Sequence, residues 1–250
     1  MSLAHNDANH DPIASVYATL PINMELTLTG LEQLMLQHLS KGAHILDVGC
    51  AHGEVVQQLH MRGYQMTGLD VSEELLRLAQ KNAPESKFIH SDIRKFQSPP
   101  TYDGVYSIGV FNFFLNLEEL TTVFQNLYKA MHDNSLFVFT MPTADFTFCE
   151  DAPNLESIRI CEVSDKSAYI ETYNYNQEKR IREIKVTIFE LINGIWKRTD
   201  TITPTKEYFV SEIKSTLENV GFIEISVYDS RDFGDETSIT EPCFVCRKPS

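Results

Sequence analysis

Apolar residues recur along this chain in two rhythms. In residues 26–39, Leu28, Leu31, Leu34, Met35 and Leu39 are spaced mostly by three and four, which predicts an amphipathic helix. Short apolar runs at 44–48, 64–70, 87–90, 103–108 and 136–141 read as strands. Helical spacing fills the gaps at 54–62, after Ser72, and at 117–131. Ser72 is placed to cap a helix with Glu73 and Glu74 in its first turn, and Gly63 and Pro84 act as stops. Strands that alternate with helices predict an α/β fold, a parallel sheet covered on both faces. Ligands of such sheets bind outside the carboxyl ends of the strands.

After Pro142 the helical rhythm stops. Segments 158–163, 167–175, 180–191 and 195–203 are β-like, with Ile184, Val186 and Ile188 alternating and Asn193-Gly194 as a two-residue hairpin signal. A β-rich antiparallel insertion is therefore expected after the fifth strand. Pro204 leads to an expected helix over 206–219 with Tyr208, Phe209, Ile213 and Leu217 apolar, and Gly221 as its C-cap. Runs at 222–228 and 243–247 complete the strands. The expected division is an amino-terminal arm and cofactor-binding part over 1–142, the insertion over 143–204 as a substrate lid or dimer surface, and a carboxyl-terminal completion of the core over 205–250.

Composition narrows the partners. The 250 residues are 42% hydrophobic and 22% charged, ordinary values for a globular domain, and the polar start at 1–10 has no hydrophobic signal core, so the expectation is a cytoplasmic protein without a membrane span. Asp and Glu number 35 against 21 Lys and Arg, a net charge of −14 with no basic patch, which opposes nucleic acid as a partner. Five irregularly spaced cysteines imply no disulfide framework. Cys243 and Cys246 form a Cys-x-x-Cys within a strand-like run, where residues three apart face opposite ways and share no metal.

The candidate chemistry centres on residues 44–53, His-Ile-Leu-Asp-Val-Gly-Cys-Ala-His-Gly, a strand running into a small-residue turn and a helix start. Small residues there let the backbone approach a ligand closely. A dinucleotide fingerprint starting at Gly49 would need glycine at 51 and a small residue at 54, where the chain has Ala51 and Glu54, and no P-loop Gly-x4-Gly-Lys-Ser/Thr is present. What remains, Asp47-x-Gly49-x-x-x-Gly53, resembles motif I of the class I (Rossmann-like) S-adenosylmethionine-dependent methyltransferases, with Ala51 in place of the middle glycine.

The resemblance implies a doubly wound seven-stranded sheet with an antiparallel last strand, and S-adenosyl-L-methionine as cofactor with S-adenosyl-L-homocysteine as product. It places Asp47 near the methionine end, Gly49, Cys50, Ala51 and Gly53 around the cofactor, Asp70 with Val71 at the ribose, and Asp92 with Ile93 at the adenine. Ser107 and Ile108, leading to Gly109, Val110, Phe111 and Asn112, resemble motif IV, which faces the methyl group. Many small-molecule members have His-His where this chain has Asn112 and Phe113, so no histidine base is marked there. Acids after three successive strands suit a cofactor that carries two cations.

Methyl transfer to an amine needs mainly proximity and desolvation, whereas an oxygen acceptor usually needs a base. Asn112 and Tyr17 are the candidates on the acceptor side; His52, His90, Tyr106, Tyr173 and Tyr175 are further base candidates that no motif marks. Phe111, Phe113, Phe114, Phe146 and Phe148 follow the fourth and fifth strands, as core or as an apolar lid. The expected activity is methyl transfer to nitrogen or oxygen of a small molecule by a monomer or homodimer. Methylation of a protein or tRNA, and a silent cofactor-binding scaffold, are the alternatives.

Overall fold

The computed structural model describes residues 23–147, 157–233 and 242–250. Helix α1 (Met24–Leu34) is capped by Asn23, whose Oδ1 accepts the Leu26 N–H, and it buries Leu28, Leu31 and Leu34 before a 3-10 turn at Leu36–His38. Then follow β1 (His44–Val48), α2 (Glu54–Met61), β2 (Gln65–Asp70), α3 (Glu73–Asn82) and β3 (Lys87–His90). Next come β4 (Tyr102–Ile108), α4 (Leu117–Ala130), β5 (Met131–Thr140) and the single turn α5 (Ala144–Thr147). Strands β6 (Ser157–Val163), β7 (Ser167–Asn176), β8 (Ile181–Ile192) and β9 (Ile195–Lys206) lead to α6 (Val210–Val220), β10 (Ile223–Tyr228) and β11 (Cys243–Arg247).

Seven strands form one sheet in the order β3-β2-β1-β4-β5-β11-β10. The first five run parallel, and the final strand β11 is inserted antiparallel between β5 and β10. This is the expected Rossmann-like arrangement. Alternation along the buried strands sends side chains into two cores. One holds Leu46, Val105, Phe111, Phe124, Phe137 and Phe139; the other holds Ile45, Met35, Val56, Leu59 and Tyr106. Cys246 lies in the first core and Cys243 in the second, so the Cys-x-x-Cys pair straddles the sheet.

The insertion forms a separate antiparallel sheet, β6-β7-β8-β9. Asn193 at φ 53° and Gly194 at φ 78° turn β8 into β9, with Ile192 opposite Ile195, the two-residue hairpin that Asn-Gly predicts.

Two expectations need correction. The strand expected over 136–141 begins earlier: β5 starts at Met131, opposite Tyr102, and accommodates residues 132–135 as a bulge with Asn134 at φ 66°. The helix expected over 206–219 starts only at Val210, because β9 continues through Pro204 to Lys206. Proline is tolerated because β9 is an edge strand and owes no further ladder bond on its outer side. Tyr208 imitates a helical apolar position, but it is buried through tertiary docking instead, its hydroxyl donating to Phe114 O at 2.8 Å.

Candidate active site

The strand order reverses between β1 and β4, and the crevice at their carboxyl ends is where a ligand of such a sheet sits. The residues expected around the cofactor converge there. After β1 the chain turns through Gly49 (φ 76°), Ala51 (φ 46°) and Gly53 (φ 79°), and α2 begins at Glu54. A Cβ at Gly49 would stand 2.3 Å from Val110 Cγ2, and one at Gly53 would stand 2.9 Å from the Ala79 Cβ. These glycines bring the turn against the β4 loop and against α3. Ala51 occupies a backbone region that glycine enters more readily, which is where the family pattern has its middle glycine.

Asp70, at the end of β2, ties this turn in place. Its Oδ2 accepts the Ala51 N–H and its Oδ1 the Ser72 N–H, both at 2.9 Å. Next to it, Val71 presents its carbonyl to His90 Nε2 at 2.9 Å. Cys50 is buried, its thiol pushed well up by burial and then by the Asp47 and Asp70 charges, so it behaves as an inert neutral group.

Asp47 is the register partner of Tyr106 across β1 and β4. Burial raises its carboxyl to about 7, the Tyr106 hydroxyl pulls it back down, and the charge of Asp70 raises it again. A buried acid beside a second acid is a site that a cation relieves. That is the fit expected of a cofactor with sulfonium and ammonium groups.

After β3, Asp92 is 11% exposed and chelated by Arg94, whose Nε lies 2.9 Å from both carboxylate oxygens. Burial pushes this carboxyl up, but the Arg94 hydrogen bonds outweigh it and hold the group below its ordinary range. Ile93 packs into the first core. The sequence reading passed over Arg94 as the partner of Asp92, although the spacing of two places the guanidinium beside the carboxylate.

At the end of β4, Ser107 is buried and donates to Val48 O at 2.9 Å, pinning β4 to β1, while Ile108 is 40% exposed. Asn112 lies in the 3-10 turn Phe111–Phe113, and its Oδ1 is buried without a hydrogen-bond partner. Phe111 is core, edge-on to Phe124, Phe137 and Phe139. Among the base candidates, His52 is buried with Nε2 3.4 Å from Glu54 and Nδ1 unpartnered, and Tyr173 and Tyr175 lie against the Arg182 guanidinium. Tyr17 and Phe148 fall outside the described residues. No cluster of His, Cys, Asp or Glu fit to hold a metal occurs among the described residues.

The insertion joins the core at this end of the sheet. Thr143, just after β5, bridges Tyr208 in parallel, and Ala144 N–H donates to Tyr208 O at 2.9 Å. Beside that joint, buried Glu207 pairs with Arg182 at 2.5 Å. Sequence reasoning missed this pair. The signal was there in Thr201, Thr203, Thr205 and Glu207, whose period of two marks the buried side of β9 and its continuation.

Residues 45–134 match the family described as Methyltransferase domain. A protein of Geobacillus sp. (strain WCH70) that carries a methyltransferase name is 23% identical over 212 residues, covering 82% of this chain and 84% of that one. Among solved structures, the CcbJ methyltransferase from Streptomyces caelestis superposes with a TM-score of 0.75 at 14% identity, over 96% of this chain and 97% of that one. CalS10, an amino pentose methyltransferase from Micromonospora echinaspora solved with S-adenosylmethionine bound, gives 0.71 at 14% identity over 94% and 95%. The structures share the fold. Residues 45–134 thus carry a methyltransferase domain, and the chain around them has the Rossmann-like fold of S-adenosylmethionine-dependent methyltransferases.

Proposed function

We propose that this enzyme transfers the methyl group of S-adenosylmethionine to a nitrogen or oxygen of a small-molecule acceptor. The observation that carries the reading is the joint between insertion and core. Tyr208, two residues beyond β9, bonds Phe114 O, two residues from Asn112, and bridges Thr143, so the exit of the β6–β9 sheet is anchored beside the acceptor side of the crevice. There the insertion over 143–204 acts as a lid on a core made of 1–142 and 205–250. The amino pentose substrate in the name of CalS10 supports a polar, amine-bearing acceptor.

Within this reading the cofactor lies along the carboxyl ends of β1, β2 and β4. Asp47 faces its cationic end; Gly49, Cys50, Ala51 and Gly53 form the backbone cradle; Asp70 with Val71 takes the ribose. Asp92 and Ile93 border the adenine, with Arg94 fixing the carboxylate, and Ser107 and Ile108 line the β4 side. When bound, S-adenosylmethionine supplies a methyl group already activated on sulfur. The protein's share is to hold the acceptor in line and exclude water. Asn112 Oδ1, buried and unpartnered, accepts the N–H or O–H of the nucleophile and aims its lone pair. An unprotonated amine then needs no base.

The net charge of −14 argues against a polyanionic acceptor such as tRNA. We place the enzyme in the cytoplasm as a monomer or homodimer, and among the described residues no helix is long and apolar enough to cross a membrane. Thermal-shift screening tests the reading. S-adenosylhomocysteine should stabilise the protein, and small hydroxylated amines should add a further shift only in its presence; stabilisation by RNA or peptides alone would contradict it.

A further inference from the structure

We propose that Arg182 and Glu207 form a subsite at the base of the lid that holds a non-reacting hydroxyl group of the acceptor; the proposal rests on the acceptor reading above. The Glu207 side chain is 2% exposed and that of Arg182 13%, and they pair through Oε1 and Nη2 at 2.5 Å. Each keeps one buried polar atom with capacity to spare: Arg182 Nε, a donor without a partner, and Glu207 Oε2, an acceptor on a carboxylate that the Tyr175 hydroxyl also approaches. Groups buried in this state are expensive to leave unsatisfied, and a ligand that completes them gains by it.

The chemistry of the two open positions selects the ligand. Because the pair is electrically balanced, an ammonium would meet the Arg182 charge and a carboxylate the Glu207 charge. A hydroxyl is neutral and both donates and accepts, so it satisfies Glu207 Oε2 and Arg182 Nε together. Tyr173 and Tyr175 hold the guanidinium, their ring centroids 4.9 and 6.0 Å from Cζ.

Position supports the assignment. Glu207 directly precedes Tyr208, which bridges Thr143 at the end of β5 and bonds Phe114 beside Asn112. The subsite therefore stands at the carboxyl ends of β4 and β5. With Asn112 receiving the nucleophile and the Arg182–Glu207 pair receiving a hydroxyl, the acceptor class is a hydroxylated amine or polyol rather than a plain hydrocarbon amine.

The test compares trans-2-aminocyclohexanol with cyclohexylamine, titrated by ligand-detected NMR into the full chain saturated with S-adenosylhomocysteine. The wild type should bind the amino alcohol at least about tenfold more tightly. Glu207→Gln loses the carboxylate, and Arg182→Lys keeps a cation for Glu207 but lacks the Nε donor. Each should reduce the preference to about threefold or less with unchanged S-adenosylhomocysteine affinity, which also verifies the fold. Equal binding of the two amines by the wild type, a preference preserved in both variants, or no amine binding alongside intact S-adenosylhomocysteine binding would each overturn the subsite. Failure of S-adenosylhomocysteine itself to bind would overturn the underlying acceptor reading and the subsite with it.

Discussion

Asp70 Oδ2 accepts the backbone N–H of Ala51 at 2.9 Å, so the acid at the end of β2 holds the turn at the end of β1 in its ligand-ready shape. The same carboxylate takes the Ser72 N–H and thereby sets the start of α3. A carboxylate oxygen accepts more than one hydrogen bond, so these contacts orient the group without exhausting it.

Asp70→Asn keeps the shape but halves the acceptor capacity and removes the charge. We expect S-adenosylhomocysteine affinity to fall about ten- to hundredfold, the loss of one or two charge-assisted bonds. Isothermal calorimetry measures this directly, and an unchanged affinity would remove Asp70 from the ribose.

Ala51 tests the turn from the other side. At φ 46° an alanine pays about 1 kcal/mol that glycine avoids, offset in part by glycine's freer unfolded chain. Ala51→Gly should therefore leave the melting temperature within a few degrees and retain cofactor binding, whereas Ala51→Val should lower it clearly. Thermal melts of the three proteins decide whether the departure from the family pattern is tolerated for this reason.

Gly49 has both a steric and a backbone requirement. Gly49→Ala drives a methyl into Val110, and at φ 76° it also strains the chain, which together should cost about 3 kcal/mol or more. Adding Val110→Ala should recover the steric part only. A double variant as stable as the wild type by denaturant titration would show that the φ requirement is absent.

How far the site was legible follows from such residues. The positions of Asp47, Gly49, Asp70 and Asp92 in the fold could be read from sequence because each lies within two residues of the end of a short strand, where the crevice opens. The spans 44–48 and 87–90 came out as read for the same reason. Arg182 and Glu207 were illegible as a pair, since 25 residues separate them and only the β8–β9 pairing brings them together. The start of α6 was misplaced because Tyr208 satisfies a helical period while its burial comes from Phe114, 94 residues away.

Asp47 predicts a pH dependence. Its folded carboxyl is raised to about 7 from 3.8, so ionisation costs the empty protein stability as pH rises through that window, and that cost is complete above about 7. A bound cation favours the ionised form. S-adenosylmethionine affinity should thus tighten about tenfold between pH 6 and pH 8, the rise in ionised fraction for a group of that pKa. Asp47→Asn should bind weakly and without this slope; a wild-type affinity independent of pH would refute the coupling.

Asn112→Ala should lower turnover at least about tenfold while S-adenosylmethionine affinity stays within twofold, because the side chain serves the acceptor. Equal loss of both would move Asn112 to the cofactor side.

The central claim is methyl transfer to a small molecule through a cofactor held by Asp70. Its most direct measurement is incubation of the enzyme with methyl-labelled S-adenosylmethionine and a cell extract, followed by separation into small molecules, protein and RNA. We predict label in the small-molecule fraction, strongly reduced with Asp70→Asn. Label confined to protein or RNA, or undiminished by Asp70→Asn, would contradict the account.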